Sequence, residues 1–309
     1  MMSGKWVTVM GSFVADLAFR TDRVPAWGET LMGHSFQLGP GGKGSNQAVA
    51  AARAGGRVSF ISKLAADDFG NIARTLYKAE GIDTQYLFST QTATGAAAII
   101  IDAAKGENAI IVVPGACFEL STGEVDNARA LIADSAAFVA QLELSLAVVE
   151  HGLALAHSFG VPTILNPAPA MPLPESIYQH VDYITPNESE AATLTGIPVR
   201  TIADAEKAAE NFLARGVRNV IITLGEQGAL VKNAKTCTHV PAFNAGKVLE
   251  TTGAGDAFNG GFAVALSEGA ELVEAVRFGC ATAGISVTRA GTAPSMPQRA
   301  EIDALLQRK

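Results

Sequence analysis

From about residue 121 onward the chain alternates short apolar runs with longer segments of helical period, and this alternation restricts the fold more than any other feature. It predicts helix over 121–133, strand over 136–141, helix over 145–159, strands over 162–166 and 182–185, helices over 187–195 and 202–214, and strand over 218–224. Short apolar strands set between helices bury both of their faces, so the expected architecture is a mostly parallel sheet with helices on either side, a Rossmann-like three-layer α/β/α fold. β segments near 228–232 and 237–243 follow, then helices near 254–268, 271–289 and 297–307. Ahead of the alternation the chain reads as a buried strand over 6–15, an alanine-rich helix over 45–53, a strand over 58–62 and a helix over 68–80 stopped by Gly81. Two stretches, about 14–43 and 91–116, do not alternate with helices. The second carries β runs at 95–101 and 109–113 with a turn at Lys105, Gly106, Glu107 and Asn108. Together they are expected to form a small β-sheet lid on a single domain spanning 1–309.

Composition narrows the class of partner. Of 309 residues, 48% are hydrophobic and 17% charged, enough to bury a large core. The balance of 23 basic against 30 acidic residues gives a net charge of −7 with no basic stripe, which argues against nucleic acid or an anionic membrane as partner. No apolar run reaches the roughly 18 residues that span a bilayer. The three cysteines, Cys117, Cys237 and Cys280, are widely spaced and suggest neither a disulfide framework nor a zinc site. That usage fits a reducing compartment, so a cytoplasmic location is expected.

Two glycine loops carry the chemistry. Gly39, Pro40, Gly41, Gly42, Lys43 and Gly44 match the dinucleotide pattern G-x-G-x-x-G ahead of a helix, with Asp67 at a suitable distance for a ribose. Some thirty residues separate this loop from the first strand, whereas the dinucleotide fingerprint follows its strand directly. Lys43 is followed by Gly44 rather than Ser or Thr, so the loop is not a Walker A motif either. The second loop, Thr251 to Asp256, opens a helix. Uncovered N–H groups at such a start form an anion site, and Asp256 within it suits a general base acting on an attacking hydroxyl; a plain helix cap is the alternative. Asn187 and Glu190 share a face of one helical turn, either as organisers of a hydrated Mg²⁺ or as a capping pair. Residues 223–228 end a strand in a turn, a place where open α/β sheets bind ligands or simply reverse.

Gly41-Gly42-Lys43-Gly44-x-Asn46-Gln47-Ala48 together with Thr252-Gly253-Ala254-Gly255-Asp256 resembles the paired signatures of the ribokinase family of carbohydrate kinases. Asn166-Pro167-Ala168-Pro169 and Thr185-Pro186-Asn187-Glu188 match that family in content and order. The resemblance covers essentially the whole chain. It implies an ATP-dependent kinase acting on the 5-hydroxyl of a pentose, ribose first, with 2-deoxyribose or another sugar or nucleoside as alternatives. It further implies Asp256 as catalytic base, Gly253, Ala254 and Gly255 as anion hole, and Asp16, Gly42, Lys43, Asn46 and Glu143 as sugar contacts. Asn187 and Glu190 would lie near the phosphates and Mg²⁺, and Thr223, Gly225 and Gly228 would line the nucleotide site. A K⁺ site would draw on Glu250, Thr252, Ser286, Arg289, Gly291 and Ser295, and a homodimer would form through the lid.

The chain departs from the family pattern at three of these places. Glu250 stands where an Asp is usual, Val14 where an Asn commonly enters the sugar pocket, and Cys280 where a His often flanks the adenine. Two other classes compete: a nicotinamide oxidoreductase using the first glycine loop, and a catalytically silent sugar-binding regulator. Retention of Asp256 with its whole loop argues against the regulator.

Overall fold

The computed structural model describes residues 5–103 and 108–308. In chain order its strands are β1 (Trp6–Met10), β2 (Val14–Thr21), β3 (Ser35–Gly41), β4 (Val58–Ala65), β5 (Leu87–Thr90), β6 (Thr94–Asp102), β7 (Asn108–Gly115), β8 (Ser135–Gln141), β9 (Thr163–Asn166), β10 (Tyr183–Ile184), β11 (Asn219–Thr223), β12 (Ala229–Asn233) and β13 (Cys237–Val240). The helices are α1 (Lys43–Arg53), α2 (Asp68–Ala79), α3 (Thr122–Asn127), α4 (Arg129–Ala133), α5 (Leu146–Ser158), α6 (Glu175–Tyr178), α7 (Glu188–Thr195), α8 (Ile202–Ala214), α9 (Ala254–Ser267), α10 (Leu272–Ser286) and α11 (Arg299–Leu306).

The larger sheet has the order β13-β12-β11-β10-β9-β8-β1-β4-β5. Neighbours from β11 to β5 run parallel, and β12 and β13 add an antiparallel edge. Successive side chains of a strand point to opposite faces, and here each face meets a core of its own. Val7, Val9, Ala137, Val139 and Ile221 pack into one core, beneath α1, α2, α9, α10 and α11. Met10, Phe138, Ala140, Val220 and Ile222 pack into the other, beneath helices from α3 to α8. The expected α/β/α layering is therefore observed. The run of small residues in α1 has a packing consequence: Ala48, Ala50 and Ala51 are fully buried, and a Cβ added at Gly260 of α9 would lie 2.8 Å from the Ala51 nitrogen. Only small residues on both helices permit that approach.

The second sheet has the order β3-β2-β6-β7 and stands apart from the first, as the segments 14–43 and 91–116 led us to expect. Register assigns its faces. Asp16, Ala18 and Arg20 alternate with Leu17 and Phe19, and the partners of Phe19 are Phe36 and Ile100. One face mixes Asp16, Arg20, Ser35 and Gln37 with Ile99, Ile101 and Ile110. The other exposes Phe19, Phe36, Leu38, Ile111 and Val113.

Several sequence expectations are corrected here. The strand expected over 6–15 ends at Met10; Gly11, Ser12 and Phe13 turn the chain, and Val14 and Ala15 pair with Gly41 and Pro40 in the small sheet. Continuous hydrophobicity hid the break because residues on both sides of the turn are buried. The helix over 121–133 is interrupted at Ala128, whose ψ of 4° leaves the helical range. The last long helix stops at Ser286 instead of 289, freeing 287–292 to form a loop. β5 and α6, each four residues long, had no legible signal. Of the expected turn at 105–108, Lys105, Gly106 and Glu107 lie outside the described residues, and Asn108 opens β7. Among the described residues no helix is long and apolar enough to cross a membrane.

Candidate active site

The carboxyl ends of the parallel strands converge on one region, where open α/β sheets bind ligands. Gly11 and Ser12 follow β1, Glu143 follows β8, Asn166 ends β9, Thr185 and Asn187 follow β10, and Thr223 ends β11. The amino end of α1 brings Lys43, Asn46 and Gln47 to the same place, and the amino end of α9 brings Asp256. β2 contributes Val14 and Asp16 from the small sheet.

Asp256 sits in the first turn of α9, 6% exposed, with both carboxylate oxygens held: Asn46 Nδ2 donates to Oδ2 at 3.0 Å and Gln47 Nε2 to Oδ1 at 2.9 Å. Burial pushes its pKa up, while the Lys43 ammonium and the two amide donors pull it back. Asn46 Oδ1 is buried without a partner among the described residues. The Lys43 amine loses solvation by burial, yet the carboxylates of Asp256, Glu143 and Glu190 outweigh this and hold its pKa above the usual lysine range. Glu143 accepts from the Ser12 hydroxyl and from the Lys43 N–H at 2.9 Å, so it caps α1 where Gly42 has no side chain to do so. Asp16, half-buried and facing Glu143, Asp256 and Glu250, has its pKa raised to about 7, chiefly by burial.

The loop before α9 has the form required for an anion site. Gly253 is left-handed at φ 83°, and the Ala254 N–H closes a turn on the Thr251 carbonyl at 3.1 Å. The next N–H groups, of Gly255 and Asp256, start the helix with no preceding turn to satisfy them. A Cβ at Gly255 would meet nothing within 4 Å, so the space in front of this turn is open.

Asn187 and Glu190 form a reciprocal capping box at the start of α7: Asn187 Oδ1 accepts the Glu190 N–H at 2.8 Å and Glu190 Oε2 accepts the Asn187 N–H at 2.9 Å. A bridge joins Asn187 to Thr223, and Gly225 and Gly228 follow with positive φ of 54° and 95°. Cys280 faces the core from α10, its thiol pKa pushed up to about 12 by burial. Among the described residues no group of three or more His, Cys, Asp or Glu side chains could hold a metal ion.

A cleft between the Asp16 face of the small sheet and the loop at 250–252 is lined by Asp16, Gln37, Ile99, Ile110, Glu250 and Thr252. Glu250 Oε2 accepts the Gly291 N–H at 2.9 Å. Ser286 and Ser295 donate their hydroxyls to the carbonyls of Ala283 and Thr292, and Arg289 pairs with Glu301. These side chains fold their own loop, and a cation there would meet backbone carbonyls. A separate cavity of about 270 Å³, lined by His157, Asp182, Tyr183 and Arg218, lies at the opposite edge of the strands and contains none of the expected site residues.

The dinucleotide reading fails on geometry. Gly39 and Gly41 belong to β3 of the small sheet rather than to a turn after β1, and the Asp67 carboxylate is occupied as the cap of α2, accepting N–H groups of Gly70 at 2.7 Å and Thr94 at 2.8 Å. The sequence profile of the pfkB family carbohydrate kinases matches residues 5–299. The chain belongs to that family. This carbohydrate kinase is 42% identical over 298 residues to the ribokinase of Haemophilus influenzae, covering 96% of this chain and 97% of the relative. It is 37% identical to the deoxyribokinase of Salmonella typhi, covering 94% and 95%. The solved structure of Arabidopsis thaliana ribokinase complexed with ribose and ATP superposes with a TM-score of 0.91 at 29% identity, covering 99% of each chain.

Sequence reasoning gave no role to four residues that the kinase assembles here: Ser12, Gln47, Gln141 and Asn259. Gln47 and Gln141 are fully buried, and Gln141 interrupts an otherwise apolar stretch. A polar amide inside such a stretch was the available signal, because buried amides must find partners.

Proposed function

We propose that this kinase transfers the γ-phosphoryl group of ATP to the 5-hydroxyl of D-ribose, with 2-deoxyribose its nearest competitor. The observation that carries the reading is Asp256: a buried carboxylate, fixed by two amides, beside an open row of helix-start N–H groups. Asp256 takes the proton of the acceptor hydroxyl, and the N–H groups of Gly253, Ala254 and Gly255, with that of Asp256 itself, hold the charge on the transferring group. The Ala254 N–H, already engaged in a turn, contributes least. Asp16, Gly42, Lys43, Asn46 and Glu143 bind the sugar; hydroxyls donating to Asp16 favour its ionised form, and the unpartnered Asn46 oxygen accepts one more. Lys43 also faces Glu190, so its charge bridges sugar and phosphates. Release of ADP on addition of each sugar of a panel is the direct test. A panel in which no pentose releases ADP overturns the substrate assignment.

Asn187, Thr223, Gly225 and Gly228 receive the nucleotide, and Cys280, 7% exposed within the core, backs the apolar side of that site. Glu190 would hold Mg²⁺ through water beside the phosphates, where the ion would supply charge neutralisation. For K⁺, the loop holding Glu250, Thr252, Ser286, Arg289, Gly291 and Ser295 offers mainly carbonyl oxygens, and the reach of Glu250 is already used on Gly291. K⁺ should therefore activate, in sodium-free buffer at matched ionic strength. Equal rates with and without it would remove this site from the mechanism.

Val14 sets the sugar preference. It begins β2 on the same face as Asp16 and is 5% exposed. A hydroxyl turned toward its methyl groups loses a partner, at about 1–3 kcal/mol, whereas a deoxy carbon does not. Discrimination between ribose and 2-deoxyribose should accordingly be weak, and Val14→Asn should shift the ratio of kcat/KM values toward ribose. An unchanged ratio would mean that Val14 does not face the discriminating hydroxyl.

The small sheet acts as a lid within one ribokinase-like unit in the cytoplasm, and its apolar face pairs with a second subunit. Phe19, Phe36, Leu38, Ile111 and Val113 exceed what isolated surface residues account for, and an uncovered patch of this kind marks an interaction site. Light scattering at micromolar concentration should give the mass of a dimer, and Ile111→Asp should give that of a monomer. A fully active wild-type monomer would rule the pairing out.

A further inference from the structure

Beneath the catalytic loop lies a continuous chain of buried amides. Gln141 Nε2 donates to Gln47 Oε1 at 2.7 Å. Gln47 Nε2 in turn donates both to Asp256 Oδ1 at 2.9 Å and to Asn166 Oδ1 at 3.0 Å. Asn166 Nδ2 donates to the Thr185 carbonyl at 3.2 Å, Thr185 Oγ1 to Asn259 Oδ1 at 2.7 Å, and Asn259 Nδ2 to the Gly255 carbonyl at 2.8 Å. Gln47, Gln141, Asn259 and Thr185 are each at most 2% exposed.

The direction of Gln47 is forced by its neighbours, whereas Gln141, whose own Oε1 is buried without a partner among the described residues, is oriented only through its bond to Gln47. Were Gln47 flipped, its oxygen would oppose the oxygens of Asp256 and Asn166, and its NH₂ would oppose the NH₂ of Gln141. Asn46 differs. It donates to the other oxygen of Asp256, but its own Oδ1 has no partner among the described residues, so nothing fixes its orientation once a hydroxyl enters. We propose that Gln47, locked by Gln141, is a positioning residue that dedicates Oδ1 of Asp256 to the protein and leaves Oδ2 as the oxygen that takes the substrate proton. In the step, the hydroxyl proton passes to Oδ2 and its oxygen bonds to the γ-phosphorus. The bond from that phosphorus to the bridging oxygen breaks, and ADP keeps the electron pair. The inference rests on Asp256 being the base.

Charged groups facing Asp256 are Lys43 on α1, Glu143 beyond β8, Asp16 on β2 and Glu190 on α7. All of them remain when the Gln47 amide is removed, so its effect can be read separately. The test compares wild type, Gln47→Met and Gln141→Glu in full pH profiles of kcat, with sugar KM, melting temperature and active fraction recorded. Gln47→Met removes a donor to the ionised form, so the acid limb of kcat should move up by about one pH unit. Loss of orientation should lower kcat by about ten- to a hundredfold with sugar KM nearly unchanged. Gln141→Glu, while ionised, offers only acceptors to Gln47 and should turn the Gln47 oxygen onto Asp256, its own charge moving the acid limb the same way; Gln141→Met removes the donor to Gln47 without adding a charge and reads the orientation of Gln47 alone. An acid limb at its wild-type position in either folded variant overturns the proposal, as does a loss confined to the active fraction. If Gln47→Met fails to fold, Gln141→Met carries the same readout. Activity retained by Asp256→Asn would defeat the base assignment itself. An inactive Asp256→Asn beside an unshifted Gln47→Met would defeat only the role given to Gln47.

Discussion

Asp256→Asn should lower kcat by about 10³-fold or more while sugar KM changes less than about threefold. The substitution keeps shape and burial but leaves no group able to take the hydroxyl proton. The fold should tolerate it, because Asn46, whose oxygen is unpartnered, can turn to receive the new NH₂ while Gln47 continues to donate to the remaining oxygen. The measurement is steady-state ADP release with saturating ATP. Turnover within about tenfold of wild type, a loss of only ~1.4 kcal/mol, would remove Asp256 from the role of base.

Gly44→Ala should cost about 3 kcal/mol of stability, at the upper end of ordinary overpacking, and weaken sugar binding at least about tenfold. The added Cβ would lie 2.6 Å from the Gly11 Cα and 2.7 Å from the Ser12 nitrogen. Both contacts are backbone, so no side chain can rotate away. The strand end would have to move instead, and with it Ser12, which holds Glu143, and Val14, which enters the pocket. Gly123→Ala is the control: it lies in α3 with nothing within 4 Å of the added atom and should stabilise by about 0.4–1 kcal/mol. Equal melting temperatures for the two variants would show that the Gly11–Gly44 contact is not tight in solution.

Particular elements show what could be read from residues alone. α8 occupies 202–214 as expected because Thr201 caps it with a box to Asp204 and its apolar face follows the helical period. β1 was overextended because hydrophobicity reports burial, and burial is shared by the main sheet, the turn after it and the root of the small sheet. Within the site, the helix start at Gly253 and the carboxylate at Asp256 were legible as local chemistry. Asn187 and Glu190 are the capping pair that their spacing allowed, and Asp67 is a cap where a ribose contact had been considered. What spacing could not convey was the partnership of Gln47, Gln141 and Asn166. These residues meet only because α1, β8 and β9 end together, a product of sheet order rather than of any local motif.

The turn Gly11 to Phe13 joins the first core strand directly to the first strand of the small sheet, with backbone pressed on backbone at Gly42 and Gly44. Mechanically it is a fulcrum. Six residue steps along β2 lead from Val14 to Arg20, about 20 Å of lever arm at the rise of an extended strand. A rotation that sweeps the far end of the sheet through several ångströms therefore displaces Val14 and Asp16 only slightly. On the lid role proposed for this sheet, the sugar's hydroxyls would be read at the root, where geometry would change little with any movement of the sheet, and the far end would govern how much water shares the cleft. Mutations near Arg20 or Ile101 should consequently change how long a substrate stays, and those near Val14 should change which substrate is chosen.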